Sequence, residues 1–506
     1  MGMRSFKECF SELCEQENSS EMIALDDGNR IVRCTYSEVF HMCLRAGSLF
    51  EASGLKPGDS IVAILPNSIE AAVLFFSSML FGINYAPLPC AVSNREFDNW
   101  LEIVKPKLIV RKYGIAEYTS DRIPQITSDA AGDVDFLSGR QESQLPAGRG
   151  SPSCIYLMTS GTTGIPKALS IDSDKLWNSG YAFASYHGLV GKRCRFWNYL
   201  PMSYLGGLFN LALIPLCTRG SFIISEPFSG KTILNFWNFV DKHRIDSLWF
   251  VPSIVSGLLK LSKLIGDKGI ADTHNIETAF LGTAPISLDN KQEFERRFGI
   301  QLLENFALSE TTFITSEIPE NIRFREDSSV GSILPYVNIK LLPVKEVKNT
   351  YEIWVYTPYL FNGYLSSNGE LILEKDEDGY FNTRDLGYLN DDNCLVLCGR
   401  DRDIIKKGGL FVSLVEIEHT VRNVKFVEDV AAVPIKHDFY GESYILFVIF
   451  KPQNNQKPPV EQLRLWMLEN FVNYKNPDKI VSVSEFPRTA SGKIQKMRLL
   501  SLSKES

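Results

Sequence analysis

Stretches of apolar and polar residues alternate along the first ninety positions and predict strands separated by helices. Thr35 offers a hydroxyl cap before a helical pattern that runs to about Ser53. Residues 61–65 are apolar throughout and predict a buried strand, residues 68–81 predict a helix, and residues 85–89 predict the next strand. This strand–helix–strand order predicts a parallel sheet with crossover helices.

Apolar runs and helical patterns also occur in the rest of the chain. The apolar run at residues 155–158 predicts a buried strand, and residues 288–298 predict a helix. In the last hundred residues, 427–434 and 444–451 predict strands and 461–472 predict an amphipathic helix. A chain of 506 residues is too long for one core, so this last part is expected to be a second domain.

Composition narrows the class of protein. The chain is 44% hydrophobic and 22% charged, which is ordinary for a soluble globular protein. Its net charge of −7 argues against a nucleic-acid partner. The amino terminus carries Glu8, Glu12 and Glu15, unlike a signal peptide, and the longest apolar run, residues 71–83, is too short to span a bilayer.

The cysteines suggest a reducing compartment. The ten cysteines are scattered without a C-x-x-C pair, and the nearest pair, Cys394 and Cys398, has no accompanying histidine pattern. Reduced thiols in the core of a cytoplasmic protein are therefore expected rather than a metal site.

A run rich in hydroxyl groups and glycine follows the strand at residues 155–158. Residues 160–167 contain three hydroxyl side chains, two glycines and Lys167, a set that can surround anionic oxygens with N–H groups, hydroxyls and one positive charge. A Walker A loop is excluded, because Pro166 stands where the second glycine is needed and Ala168 where the hydroxyl is needed. The alternatives are a phosphate-binding loop of another type and a plain surface turn.

Residues 159–167 closely resemble the signature loop of the adenylate-forming superfamily, [ST]-[SG]-G-[ST]-T-G-x-P-K. That superfamily comprises acyl-CoA synthetases, adenylation domains of peptide synthetases, and luciferases. The resemblance implies an α/β fold with a large N-terminal domain of stacked mixed β-sheets and helices, residues 1–400, and a small mobile C-terminal α+β domain, residues 401–506. It also implies that the run binds the nucleotide through Thr159, Ser160, Gly161, Thr162, Thr163, Gly164 and Lys167.

Further motifs of the superfamily follow in order. Residues 305–310 resemble its Y-G-x-T-E motif, residues 383–385 its T-G-D motif and residues 399–406 its G-R-x-x-D-x-I-K motif. Two positions depart from the pattern, since Ala307 and Arg384 each replace a glycine. The resemblance implies further nucleotide contacts from Gly282, Thr283, Ala284, Asn305, Phe306, Ser309, Asp385, Arg400 and Lys493.

Residues 487–494 resemble the closing P-R-T-x-x-G-K motif of the superfamily. On composition alone this stretch would be read as a basic solvated tail, and residues 399–406 as a charged linker. The resemblance instead implies catalytic roles for Lys493, Thr163 and Glu310, with Glu310 as the Mg²⁺ ligand. It further implies that Arg402 is the hinge between the domains and that Gly408 and Gly409 line the channel for the thiol.

The acid-binding pocket is expected to take a carboxylic acid without an α-ammonium group. The resemblance points to Tyr204 and Ala307 as pocket residues, and Met202 and Trp249 offer further apolar and aromatic wall. The alternative for Tyr204 and for Trp249 is a place in the core. Members that activate amino acids usually carry an aspartate where this chain has Leu205. An ammonium group buried there without a partner would be strongly disfavoured.

The expected reaction is a two-step ligation. A carboxylate and ATP, with Mg²⁺, give an acyl-adenylate and pyrophosphate, and a thiol then displaces AMP to form a thioester. The thiol belongs to CoA or to the phosphopantetheine of a carrier protein, and the expected enzyme is a cytoplasmic monomer or homodimer without a membrane span. The alternatives are a stand-alone adenylation enzyme that loads a carrier protein, a luciferase-like oxidoreductase, and a nucleotide-binding homologue without catalysis.

Overall fold

The structure is a computed structural model. It describes residues 3–112, 123–128, 137, 140–148, 150–159, 167–265, 275–284, 286–344, 350–400, 403–408, 410–451, 459–488 and 494–502.

Among these residues, the α-helices in chain order are α1 (Phe6–Gln16), α2 (Tyr36–Ala52), α3 (Ile69–Phe81), α4 (Asn94–Val104), α5 (Ser173–Tyr186), α6 (Ile214–Cys217), α7 (Gly230–Leu234), α8 (Phe236–His243), α9 (Pro252–Ile265), α10 (Leu288–Phe298), α11 (Leu414–Arg422), α12 (Val460–Asn470) and α13 (Lys496–Leu502). A π-helix at Gly206–Leu213 precedes α6.

The strands of the described residues, also in chain order, are β1 (Glu21–Asp26), β2 (Ile31–Thr35), β3 (Ser60–Ile64), β4 (Asn84–Pro87), β5 (Leu108–Lys112), β6 (Gln125–Ser128), β7 (Cys154–Thr159), β8 (Lys167–Asp172), β9 (Arg195–Asn198), β10 (Ser221–Ile224), β11 (Ser247–Phe250), β12 (Thr278–Leu281), β13 (Leu303–Leu308), β14 (Thr312–Ser316), β15 (Ser329–Ile333), β16 (Asn338–Pro343), β17 (Tyr351–Tyr356), β18 (Gly363–Leu365), β19 (Leu371–Ile372), β20 (Phe381–Leu389), β21 (Cys394–Arg400), β22 (Ile404–Lys407), β23 (Leu410–Ser413), β24 (Val427–His437), β25 (Gly441–Phe450) and β26 (Lys479–Ser482).

The predicted helix boundaries agree with local chemistry. The Thr35 side chain accepts from the Glu38 N–H, and the Glu38 carboxylate accepts from the Thr35 N–H, so a capping box starts α2. Ser68 caps α3 by accepting from the Ala71 N–H at 3.2 Å. Gly82 ends α3 in the left-handed conformation, with φ of 70°, which costs glycine little because it has no Cβ.

Two mixed sheets form the layers of the large domain. Within the described residues, one sheet has the order β16-β17-β20-β21-β15-β14-β13-β12-β11-β9-β10-β1-β2 and the other β19-β18-β8-β7-β4-β3-β5-β6. Strands β3, β4 and β5 pair in parallel, as predicted, whereas β8 pairs antiparallel with β7. One continuous apolar core joins the two sheets, and every residue of α3 is buried within it. The predicted arrangement of stacked mixed sheets is confirmed.

A third sheet carries the small C-terminal domain. Its order is β23-β22-β25-β24, with β26 parallel to β25. The two apolar clusters of this domain contain only residues from Ile405 onward, so it has its own core. Side-chain ion pairs of His419 with Asp327 and of Lys260 with Glu428 connect it to the large domain. The predicted helix 461–472 ends earlier than expected, because Phe471 is already extended at φ −120° and ψ 147°.

In the part of the chain that the structure describes, no helix is long and apolar enough to cross a membrane. All ten cysteines are free thiols, and seven of them are buried. Burial raises the pKa of Cys34 to about 11 and of Cys43 to about 12, so these thiols stay protonated near neutral pH.

Candidate active site

The predicted phosphate loop is a hairpin connection between β7 and β8. Thr159 ends β7 and pairs with Lys167, the first residue of β8, so strand pairing fixes both ends of the loop. Lys167 is exposed. The predicted phosphate-binding residues between these ends lie outside the described residues, namely Ser160, Gly161, Thr162, Thr163 and Gly164.

Glu310 lies in the tight turn between β13 and β14 and is partly exposed. Its backbone carbonyl accepts a hydrogen bond of 2.7 Å from the Phe361 N–H, and its Oε1 accepts one of 2.5 Å from the Tyr364 hydroxyl. Tyr364 belongs to β18 and pairs with Leu169 of β8. The Lys167 ammonium lies 5.0 Å from the centre of the Tyr364 ring. Tyr364 thus brings Glu310 and Lys167 together, and the sequence reading missed it.

Asp385 and Arg400 form a second part of the site. They face each other on β20 and β21, and Arg400 Nε donates to Asp385 Oδ1 at 2.9 Å. The Asp385 side chain is buried, with 8% exposed.

Arg384 keeps the backbone conformation of the glycine that it replaces. Its φ is 62°, in the left-handed region, and its N–H donates to Asn382 Oδ1 at 2.8 Å. A side chain costs about 1–2 kcal/mol in that region. Asp385, the next residue, still reaches Arg400, so the substitution leaves this pairing intact.

We expect Arg384→Val to be less stable than Arg384→Gly by about 1–2 kcal/mol, because a β-branched residue fits the left-handed region worst. Urea unfolding of both variants measures the difference. Lys436→Val is the matched control, since Lys436 is an exposed cation in β24 and has no positive φ. Equal stability of the two Arg384 variants would show that the backbone relaxes without strain.

The predicted adenine-binding residues lie at the adjacent ends of β12 and β13, which pair in parallel. Asn305 Nδ2 donates to the Leu281 carbonyl at 2.9 Å. A side-chain carbon at Gly282 would lie 2.9 Å from Asn305 Oδ1, so a larger residue would displace the Asn305 amide from its present position. Thr283 has a φ of 78°, and Phe306 is 8% exposed. Ala284 and Ser309 are both partly exposed at the same edge.

A buried ion cluster lies directly before these residues and was not predicted. Lys291 Nζ of α10 donates to Glu304 Oε2 at 2.5 Å and to Glu317 Oε1 at 3.1 Å. Arg325 contacts Glu317 and Glu295, each at 2.8 Å. Burial raises the pKa of Glu304 to about 7, against the opposing charge of Lys291. The charged residue at position 304, inside a strand whose burial pattern is otherwise that of a core strand up to Phe306, was the available signal.

The predicted acid-pocket residues differ in exposure. Tyr204 is 38% exposed, and burial of part of its ring raises its pKa. Ala307 is exposed, whereas Met202 is buried and its N–H donates to Asn67 Oδ1 at 2.9 Å. Trp249 is fully buried. It contacts an aromatic cluster made of Phe183, Phe280 and Phe313.

The structure describes only part of the predicted thiol and hinge region. The Gly408 N–H donates to the Tyr440 carbonyl at 2.9 Å, which ties β22 to the β24–β25 turn. Arg488 and Ile494 form an antiparallel bridge that closes the segment between them. The predicted residues Arg402, Gly409 and Lys493 lie outside the described residues.

Glu310 has the chemistry of a magnesium ligand. Its hard carboxylate oxygens suit Mg²⁺, which binds through one or two carboxylates together with phosphates and water. The described residues contain no group of three or more His, Cys, Asp or Glu that could hold a metal ion. The chemistry of the Glu310 carboxylate is that of a ligand to a metal that also binds nucleotide phosphates.

Family models match both parts of the chain. The family of AMP-binding enzymes matches residues 14–365, and the C-terminal domain of AMP-binding enzymes matches residues 416–493. An oxalate–CoA ligase of Arabidopsis thaliana is 26% identical over 484 residues, covering 91% of this chain and 92% of that protein. A sulfoacetate–CoA ligase of Cupriavidus necator is 25% identical, covering 90% of this chain and 89% of that protein.

The solved structures include ATP-bound MatB from Rhodopseudomonas palustris, with a TM-score of 0.86 and 25% identity over 98% of this chain and 99% of that one. Both halves of the predicted superfamily fold are therefore present in this chain. The chain belongs to the AMP-binding enzyme family, and the predicted class of enzyme, an ATP-dependent ligase that joins a carboxylic acid to a thiol, is confirmed.

Proposed function

We propose that this chain is an AMP-forming acid–CoA ligase whose acid carries no α-ammonium group. The observation that carries the proposal is the contact of Tyr364 with both Glu310 and Lys167, because it brings a carboxylate suited to Mg²⁺ close to the lysine at the end of the proposed phosphate loop. Residues 1–400 form the nucleotide and acid site in this proposal. Residues 401–506 supply the catalytic lysine.

Each group has a distinct role in the first step. Lys167 and the β7–β8 loop bind the phosphates, and Asp385, held by Arg400, accepts from the ribose hydroxyls. Bound to Glu310, Mg²⁺ would neutralise phosphate charge. Lys493 bridges the attacking carboxylate and the α-phosphate. Catalysis rests on positioning and electrostatics, because the acid itself is the nucleophile.

The second step transfers the acyl group to a thiol. The thiolate sulfur attacks the acyl carbon and forms the new carbon–sulfur bond. AMP leaves with the electron pair of the bond between the acyl carbon and the phosphate oxygen. Gly408 and Gly409 line the channel for the pantetheine arm. Rotation of the small domain about Arg402 withdraws Lys493 between the two steps.

The acid is proposed to be an aryl acid or a short-to-medium acyl chain. Tyr204 is exposed enough to form a pocket wall, whereas Met202 is buried and Trp249 is fully buried within an aromatic cluster. Leu205 is partly buried against the main core, where an ammonium group would lack a partner. The exposed methyl of Ala307 limits the width of the pocket.

An acid panel tests this proposal through ATP–pyrophosphate exchange. We expect benzoates, cinnamates or short-to-medium fatty acids to give the highest kcat/KM, with the twenty amino acids lowest. Oxalate and sulfoacetate belong in the panel, because two relatives of the chain are named as an oxalate–CoA ligase and a sulfoacetate–CoA ligase. A highest kcat/KM for an amino acid would contradict the role of Leu205, and one for a long fatty acid would contradict the role of Ala307.

The acceptor is tested with the best acid of the panel. CoA and a phosphopantetheinylated carrier protein are compared at equal thiol concentration, and CoA is expected to react faster. Faster loading of the carrier protein would make the chain a stand-alone adenylation enzyme. If the rate of pyrophosphate exchange with every acid were no higher than in a control without protein, the chain would be a nucleotide-binding homologue without catalysis.

The buried free thiols support a reducing compartment, and we place the enzyme in the cytoplasm as a monomer or homodimer.

A further inference from the structure

One short segment, residues 361–364, holds Glu310 at two points. The Phe361 N–H donates to the Glu310 backbone carbonyl at 2.7 Å, and the Tyr364 hydroxyl donates to Glu310 Oε1 at 2.5 Å. The backbone and the carboxylate of Glu310 are thus fixed by the same segment, although Tyr364 is 54 residues away along the chain.

The segment itself is anchored to the strand that follows the phosphate loop. The Asn362 N–H donates to the Ser170 carbonyl of β8 at 2.7 Å, and its side-chain amide donates to Asp172 Oδ1 at 2.7 Å. Lys175 donates to Asn362 Oδ1 at 2.7 Å. A side-chain carbon at Gly363 would lie 2.8 Å from the Ile372 carbonyl oxygen, so glycine is required where β18 meets β19. Tyr364 therefore stands on rigid backbone.

The Tyr364 hydroxyl is the hydrogen-bond donor of this pair. A phenol is protonated near neutral pH, and its O–H lies within hydrogen-bond distance of Glu310 Oε1. The ring packs edge-on against Phe361 at 5.0 Å, and the Lys167 ammonium lies over its face. A protonated phenol can only donate to a carboxylate, so the direction of the bond is fixed.

We propose that Tyr364 is the positioning residue that orients the Glu310 carboxylate for Mg²⁺ and couples it to the phosphate loop. This inference rests on the proposed function. With Oε1 held by the phenol, Oε2 is left to face the metal, and the carboxylate cannot rotate away. Groups that orient a metal ligand in this way typically change metal affinity about 10–100-fold when removed.

The test uses Tyr364→Phe, which removes the hydroxyl and keeps the ring contacts with Phe361 and Lys167. Binding of Mn²⁺ to the protein–ATP complex is followed by electron paramagnetic resonance, beside the Mg²⁺ dependence of pyrophosphate exchange. We expect Mn²⁺ to bind about 10-fold more weakly to Tyr364→Phe, and saturating Mg²⁺ to restore most of kcat. Binding of ATP without metal is expected to stay within about 2-fold of wild type.

Two further variants show whether the effect passes through Glu310. Glu310→Gln is expected to weaken Mn²⁺ binding, and the double variant Tyr364→Phe/Glu310→Gln to be no weaker than Glu310→Gln alone. Tyr36→Phe is the matched control, because it removes a buried tyrosine hydrogen bond of the same length, 2.5 Å to the Gly220 carbonyl, in another part of the domain.

The outcomes separate this inference from the function. Wild-type exchange together with unchanged Mn²⁺ affinity in Tyr364→Phe overturns the positioning role. An equal loss in Tyr36→Phe also overturns it, because the loss would then reflect general stability. Failure of wild-type exchange with every acid overturns the ligase proposal, while weaker Mn²⁺–ATP binding in Tyr364→Phe would still support the positioning role.

Discussion

Lys493→Ala is expected to slow formation of the acyl-adenylate by about 10²–10³-fold, the usual effect of removing one group that stabilises charge in the transition state. Thioester formation from a supplied acyl-adenylate is expected to stay close to wild type. Lys493 belongs to the closing motif, P-R-T-x-x-G-K, of a family that this chain matches up to residue 493. Its charge is needed where negative charge gathers around phosphorus, and that occurs only in the first step.

The described residues on either side of this motif pair with each other. Arg488 pairs with Ile494, and the Gln495 N–H donates to the Pro487 carbonyl at 2.7 Å, so both ends of the segment are joined. The measurement is the two half-reactions taken separately, pyrophosphate exchange and thioester formation from purified adenylate. Lys451→Ala removes an exposed lysine of the same domain as the control. Equal loss of both half-reactions in Lys493→Ala would contradict a lysine that acts in one step only.

Many helix and strand boundaries could be predicted from the sequence, because they depend on interactions between residues close together in the chain. The cap at Thr35, the cap at Ser68 and the apolar run at residues 155–158 each act within a few residues, and each element begins close to its predicted position. Motif order also gave Glu310 and Asp385 as candidate site residues; the structure pairs Glu310 with Tyr364 and Asp385 with Arg400. These predictions needed only short-range patterns or a family resemblance.

Tyr364 could not be predicted from local pattern because its role depends on tertiary pairing. Tyr364 reaches Glu310 only because β18 pairs with β8, a strand that lies far earlier in the chain. A glycine followed by tyrosine in a short strand is too common to suggest a metal site. The motifs that carry the family resemblance lie on either side of this strand in the sequence. Tyr364 belongs to none of them, so it was not predicted as a site residue.

The ion cluster around Lys291 was missed for a related reason. Charged residues in helices and turns are ordinarily solvated. The sequence does not show that α10, β13, the end of β14 and the turn at Arg325 bring five of them together, with Lys291, Glu304 and Glu317 buried. The side chains of Lys291 and Glu317 are 3% and 2% exposed. This burial makes the cluster a source of large and pH-dependent effects on stability.

Lys291→Met is expected to lower the free energy of unfolding by about 3–5 kcal/mol, because removing one partner of a buried ion pair leaves the other charge without compensation. Methionine keeps most of the side-chain volume, so the loss reports charge rather than a cavity. Lys107→Met is the matched control. Lys107 pairs with Asp59 at 2.9 Å but is 55% exposed, and a surface pair of this kind contributes about 0–1 kcal/mol.

The loss in Lys291→Met should depend on pH through Glu304. In the wild type the pKa of Glu304 is raised to about 7, whereas in an unfolded chain it is about 4.3. Between these values the native state holds a proton that the unfolded state has released, so wild-type stability falls as pH rises through this window. Glu304→Gln removes that slope. Without Lys291, whose charge lowers the pKa of Glu304, the window extends upward, and the deficit of Lys291→Met should be larger at pH 8 than at pH 5.

Urea unfolding from pH 5 to pH 8 measures the free energy of unfolding of each protein. The proteins compared are the wild type, Lys291→Met, Glu304→Gln and the double variant. The double variant is expected to recover part of the loss at pH 8, because it also removes the carboxylate that Lys291 had neutralised. A deficit that is equal at both pH values would show that Glu304 does not titrate in the native cluster. A deficit no larger than that of Lys107→Met would show that the charges of the cluster are solvated, and that the position of β13 depends on apolar packing alone.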